Sequence, residues 1–134
     1  MPSPTTPVAV FLGGCLGGLA RYEIGLAWPV GAHAFPVSTL LVNLTGAFAL
    51  GALVAAASGP PRAPHWLRPA LGTGFCGAYT TFASVVTTAD LLGAHARPAL
   101  AAAYLLASLG GGLVMVVVGL LTGSALSPRK DPAW

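Results

Sequence analysis

Thr39, Asn43, Phe82, Ser84, Tyr104 and Ser108 place hydroxyl and amide donors, and aromatic rings, inside segments that are otherwise apolar. Neutral donors can replace the hydration shell of a small anion, and a ring edge carries the positive part of the aromatic quadrupole. Carboxylates are scarce: Glu23 and Asp90 stand near the ends of apolar segments and Asp131 in the tail. Proton-coupled carriers and cation pumps place acidic residues within the membrane, so this inventory favours anions over proton coupling. Thr39 and Asn43 are four apart, as are Tyr104 and Ser108, which puts each pair on one helix face. Each has a plainer explanation. Asn43 could hydrogen-bond a neighbouring helix, and hydroxyls can bond back to their own.

The stretch Gly72-Thr73-Gly74-Phe75-Cys76-Gly77-Ala78-Tyr79-Thr80-Thr81-Phe82-Ala83-Ser84 lies between apolar flanks that read as two halves of one span. Its glycines and hydroxyls predict a break in mid-bilayer. Irregular backbone is tolerated at that depth only where it lines a cavity or is buried in protein, and broken helices are common ion sites. Catalysis is not expected. His33, His65 and His95 fall in loops without metal-ligand spacing; no Ser or Cys stands beside a base, and no glycine-rich phosphate loop is present.

The elements that must position these groups are membrane helices. Of 134 residues, 55% are hydrophobic and 7% charged, against about 25% charged in soluble domains. The composition predicts one small integral membrane domain covering the whole chain. A bilayer core takes about 20 apolar residues as a helix. Four spans are expected: Val8 to Trp28, Val37 to Ala57, the broken Leu67 to Leu92, and Pro98 to Leu121. Trp28 and Trp66 sit at span ends, where indole favours the interface. The net charge of +3 is slight and scattered, which argues against nucleic acid. Leu12-Gly13-Gly14-Cys15 resembles a lipoprotein cleavage box, but residues 1–20 hold no Lys or Arg, whereas a signal peptide starts with positive charge. Cys15 and Cys76 both fall in apolar spans, so no disulfide framework is expected.

Four spans put both termini on one side. Arg62, Arg68, Arg129 and Lys130 share that side and Arg97 lies opposite, so the positive-inside rule predicts cytoplasmic termini. Arg21 and Glu23, near the end of the first span, point to different helix faces. Arg21 reads either as a snorkelling anchor or as a positive vestibule for anions. Gly13 and Gly17, then Gly14 and Gly18, repeat a small-xxx-small spacing that admits a close helix neighbour, from this chain or another.

Three motifs carry a resemblance to the CrcB/Fluc fluoride channels, over nearly the whole chain. Gly13 to Tyr22 is similar to their first-helix motif, Thr39 to Gly46 to their second, and Gly74 to Phe82 to the break in their third. The resemblance implies an all-α membrane fold of four-helix subunits, paired antiparallel as dual-topology dimers in the bacterial plasma membrane. It implies passive export of cytoplasmic fluoride, and a structural sodium ion at the dimer centre held by the carbonyls of Gly77 and Thr80. It also implies that Asn43 and Phe82 line the ion pathway, that Tyr104 and Ser108 form a polar track, and that Arg21 takes a vestibule position.

The chain departs from the family at three positions. Val85 stands where a second phenylalanine is usual, Thr88 where a glutamate is common, and Gly112 where the polar track carries a hydroxyl. Some family members are heterodimers of oppositely inserted paralogues, an arrangement the charge bias fits; a homodimer is the alternative. Two other readings compete. A small four-helix drug or metabolite exporter needs an intramembrane glutamate, for which Glu23 is poorly placed. A non-conducting partner subunit would account for Val85.

Overall fold

The computed structural model describes residues 5–29, 31, 34–57 and 64–126. Arg62, Arg129, Lys130, Asp131 and His33 lie outside the described residues, so of the charges that bias the orientation only Arg68 and Arg97 are placed. The described elements are helical: α1 (Thr5–Ala27), α2 (Val37–Ala57), α3 (Leu67–Pro69), a π-helix (Ala70–Cys76), α4 (Gly77–Tyr79), α5 (Phe82–Ala94) and α6 (Pro98–Leu126). Three are long and apolar enough to cross a membrane, over Thr5–Ala27, Val37–Ala56 and Pro98–Leu126. At 1.5 Å per residue the 29 residues of α6 extend about 43 Å. That exceeds a hydrocarbon core of about 30 Å, which a long helix meets by tilting or by projecting beyond it.

The third apolar segment is not one helix. Leu67 to Tyr79 is helical throughout, but its middle seven residues are wound as a π-helix. The helix then stops, because Thr80 (φ −80°, ψ 157°) and Thr81 (φ −150°, ψ 113°) are extended. Thr80 closes the first half, its N–H and Oγ1 both donating to the Cys76 carbonyl at 3.0 and 2.9 Å. Thr81 opens the second half as its N-cap, Oγ1 accepting from the Ser84 N–H at 3.2 Å. A hydroxyl at that position satisfies an amide left over at a helix start. At the far end of α5, Ala96 takes a left-handed φ of 58°. The Arg97 and Ala96 amides turn back to the Leu92 and Gly93 carbonyls, at 3.0 and 3.2 Å. This is a Schellman turn with alanine where glycine is usual.

Two of the main pairings join helices distant in the chain. α1 runs along the π-helix and α4, α2 along α6, and α5 packs on α6. Close contact depends on missing side chains. A Cβ at Gly13 or Gly17 would strike the carbonyls of Ala70 or Phe75 on the π-helix, and one at Gly119 would strike the Phe48 carbonyl on α2. Small residues give membrane helices this approach, where dispersion and Cα–H contacts replace the hydrophobic effect. Gly13 and Gly17 therefore serve packing within the chain, whereas a Cβ on Gly18 would meet nothing within 4 Å.

Candidate functional site

The site is built around the Thr80–Thr81 break. An extended peptide between two helix halves leaves polar groups that lipid cannot satisfy. Asn43, about a third of the way along α2, meets them. Its Nδ2 donates to the Thr81 carbonyl at 3.0 Å, and its Oδ1 accepts from the Thr81 N–H at 2.8 Å. Those partners fix the orientation of the amide. Asn43 thus makes the interhelical bond weighed in the sequence, and the second hydrogen on Nδ2 has no partner among the described residues. Gly46, one turn further along α2, lets the break sit close, since a Cβ there would strike Thr80 Cγ2. Thr45 Oγ1 and the Tyr79 hydroxyl are 2.9 Å apart across the same contact.

These bonds have a consequence for the carbonyls before the break. In a continuous helix the Thr81 amide would serve the Gly77 carbonyl, and the Ser84 amide that of Thr80. The first donates instead to Asn43 and the second to Thr81 Oγ1. Gly77 and Thr80 line a groove of about 330 Å³ together with Asn43, Thr81, Phe82 and Ser108. Phe82 is 66% exposed on that groove, an unusual setting for a ring beside freed carbonyls. Oxygen atoms released from a helix ladder suit a hard monovalent cation, so this donor set fits a sodium ion.

The other expected residues lie on the far side of the break. Arg21, Thr39 and Ser84 line a second cavity of about 130 Å³, which Ser38 and Thr81 also border. Tyr104 lines neither cavity. It is fully buried, with its ring edge-on to that of Phe35 at 5.6 Å and 90°, and its hydroxyl lies near Ser108 and Thr39. The hydroxyls of Tyr104 and Ser108 are both buried and lack a partner among the described residues. Other helix hydroxyls behave differently: Thr45 bonds its own backbone at Leu41 (2.7 Å) and Thr122 at Val118 (2.9 Å). Buried polar groups without partners are rare, and each calls for a function or a bound species.

Val85 is 2% exposed and forms a small core with Ala89 and Tyr104, while also bordering the larger groove. Gly112 has nothing within 4 Å of a built Cβ. Sequence reasoning assigned no role to Thr81, which borders both cavities. Its signal was available, since a threonine three residues before Ser84 at a helix start is an N-cap pattern.

The family model described as CrcB-like protein, Camphor Resistance (CrcB), matches residues 8–120. The chain is 41% identical over 125 residues to the fluoride-specific ion channel FluC 2 of Geobacillus kaustophilus, covering 92% of this chain and 95% of that one. It is 44% identical over 122 residues to the fluoride-specific ion channel FluC of Gloeobacter violaceus, covering 89% and 96%. It is also 38% identical over 122 residues to the fluoride-specific ion channel FluC 3 of Streptomyces avermitilis; there the match covers 91% of this chain but spans only 60% of the relative's length.

Proposed function

The chain belongs to the CrcB-like family, and from that membership we propose that it is a multi-pass membrane subunit of a fluoride channel, exporting the ion by passive flux. The buried hydroxyl pair of Tyr104 and Ser108, which makes no hydrogen bond of ordinary geometry among the described residues, is the observation that carries this reading. Donors held away from lipid and water have their partner in a desolvated anion. Asn43 adds a free N–H, and Phe82 an exposed ring. Arg21 borders the smaller cavity, where its charge draws anions toward the mouth.

In this reading the two helical stretches on either side of Thr80–Thr81 together make the third of four spans, with both termini cytoplasmic in a bacterial plasma membrane. Two such subunits pair antiparallel. The Gly77 and Thr80 carbonyls of each would hold a structural sodium ion between them, whose positive charge offsets the repulsion of passing anions. Exposure of Phe82 and of the groove on a single chain is consistent with a second chain closing that face. The partner is a second copy or an oppositely inserted paralogue; numbered relatives, FluC 2 and FluC 3, fit genomes that hold more than one such chain.

Purified protein in fluoride-loaded liposomes, followed with a fluoride electrode, tests this. Efflux from the chain alone supports a homodimer. Efflux only after co-reconstitution with the paralogue supports the heterodimer. Silence in both cases overturns the channel reading, and efflux that collapses in Glu23→Gln but survives loss of the pathway donors transfers it to an exporter. In the conducting protein, Phe82→Ile lowers fluoride flux about tenfold, the scale set by loss of one well-placed aromatic interaction of roughly 1.4 kcal/mol. Unchanged flux in Phe82→Ile would remove the ring from the pathway.

A further inference from the structure

The geometry points to Thr81 as the septum of the ion path: a positioning residue that turns Ser84 into an outward donor on one side of the break and Asn43 into one on the other. This rests on the fluoride-channel reading above and assigns a role to a residue that reading leaves out. Thr81 is the residue that borders both the groove of about 330 Å³ and the cavity of about 130 Å³. An ion passing between those spaces passes Thr81.

The direction of the hydrogen bonds carries the rest. Thr81 Oγ1 accepts from the Ser84 N–H at 3.2 Å and gives its own proton to Ser84 Oγ at 3.1 Å. A serine hydroxyl has a single hydrogen. With its oxygen already accepting from Thr81, the Ser84 proton is left for another acceptor, and no partner takes it among the described residues. Ser84 borders the smaller cavity beside Arg21 and Thr39, so that proton is available to an anion there. On the other side the Thr81 peptide engages both ends of the Asn43 amide. One N–H is consumed at the Thr81 carbonyl, and the remaining N–H belongs to a side chain bordering the larger groove. One residue thereby polarises a donor on each side, through its side chain toward Ser84 and its backbone toward Asn43.

A threonine in this place also excludes the alternatives. Valine has the same shape but neither caps α5 nor donates to Ser84. In that variant the Ser84 hydroxyl can turn back onto its own helix, as Thr45 and Thr122 do. Serine keeps the hydroxyl and loses only a methyl group.

The test is fluoride efflux from liposomes holding the full chain, with its paralogue if conduction requires one, as wild type, Thr81→Val, Thr81→Ser, Ser84→Ala and the double variant Thr81→Val/Ser84→Ala. Loss of an oriented donor to a charged ion predicts a fall of about tenfold or more in Thr81→Val, with Thr81→Ser restoring most of the flux. Because Thr81 acts through Ser84, the double variant should conduct no worse than the poorer single one. A purely structural cap would instead give additive losses. Additive losses, or wild-type flux in Thr81→Val, overturn the proposal while leaving the channel intact. A wild type that does not conduct overturns both readings.

Discussion

Replacing Asn43 by alanine should abolish fluoride efflux, by about a hundredfold or more, and lower the melting temperature of the protein in detergent. The side chain satisfies the amide and the carbonyl of Thr81 at once. Removing it leaves two backbone groups of an extended peptide unpaired, at about 1–3 kcal/mol each when buried. The polar break then relaxes toward whatever partners it can find, and the Gly77 carbonyl can recover its helical donor. Asn43→Asp separates the two roles. A carboxylate still accepts from the Thr81 N–H, so part of the stability returns. It cannot donate to the Thr81 carbonyl, and it sets a negative charge beside the path, so flux stays lost. Substantial efflux in Asn43→Asp would show that Asn43 is structural alone.

The second large effect is steric. Gly17→Val places a branched side chain where the Phe75 carbonyl of the π-helix already lies. Backbone cannot step aside as a flexible side chain can, and overpacking commonly costs about 1–3 kcal/mol even where neighbours yield. Here α1 must separate from the π-helix along the whole contact. Gly17→Val should therefore lose monodisperse protein on size exclusion. Gly18→Ala, whose Cβ meets nothing within 4 Å in the chain, should elute and melt as the wild type. A defect in Gly18→Ala alone would show that this face is covered by another chain.

The sequence showed the break but not its workings. Glycines and threonines between apolar flanks are visible to anyone reading along the chain, and the fault falls at Thr80–Thr81 inside that stretch. The π-helix before it was not legible, because its hydrogen bonds reach only one residue further than those of an α-helix and no residue type marks it. Helix partners were hidden too. Membrane helices are apolar all round, so no stripe tells which face meets protein, and Gly13 and Gly17 announced a close neighbour without naming it. The polar residues were found by type, but their division between two cavities depends on how α1, α2, α5 and α6 come together around the break. Thr81 escaped notice because a threonine in a Gly/Thr-rich stretch looks like part of the fault, not the piece that holds it together.

The pairing of α1 with the π-helix and of α2 with α6 has a consequence for how the chain is made. Neither pair joins neighbours in sequence, so no finished hairpin leaves the ribosome early. When α1 and α2 have emerged, each still waits for a surface that has not been synthesised. The π-helix provides the first; α6 provides the second. A ribosome halted after Gly93 would leave α2 facing lipid along the glycine-notched side that α6 is built to cover. The packing of α2 is therefore completed only once α6 has been made, and α6 acts as the clasp for a helix inserted much earlier.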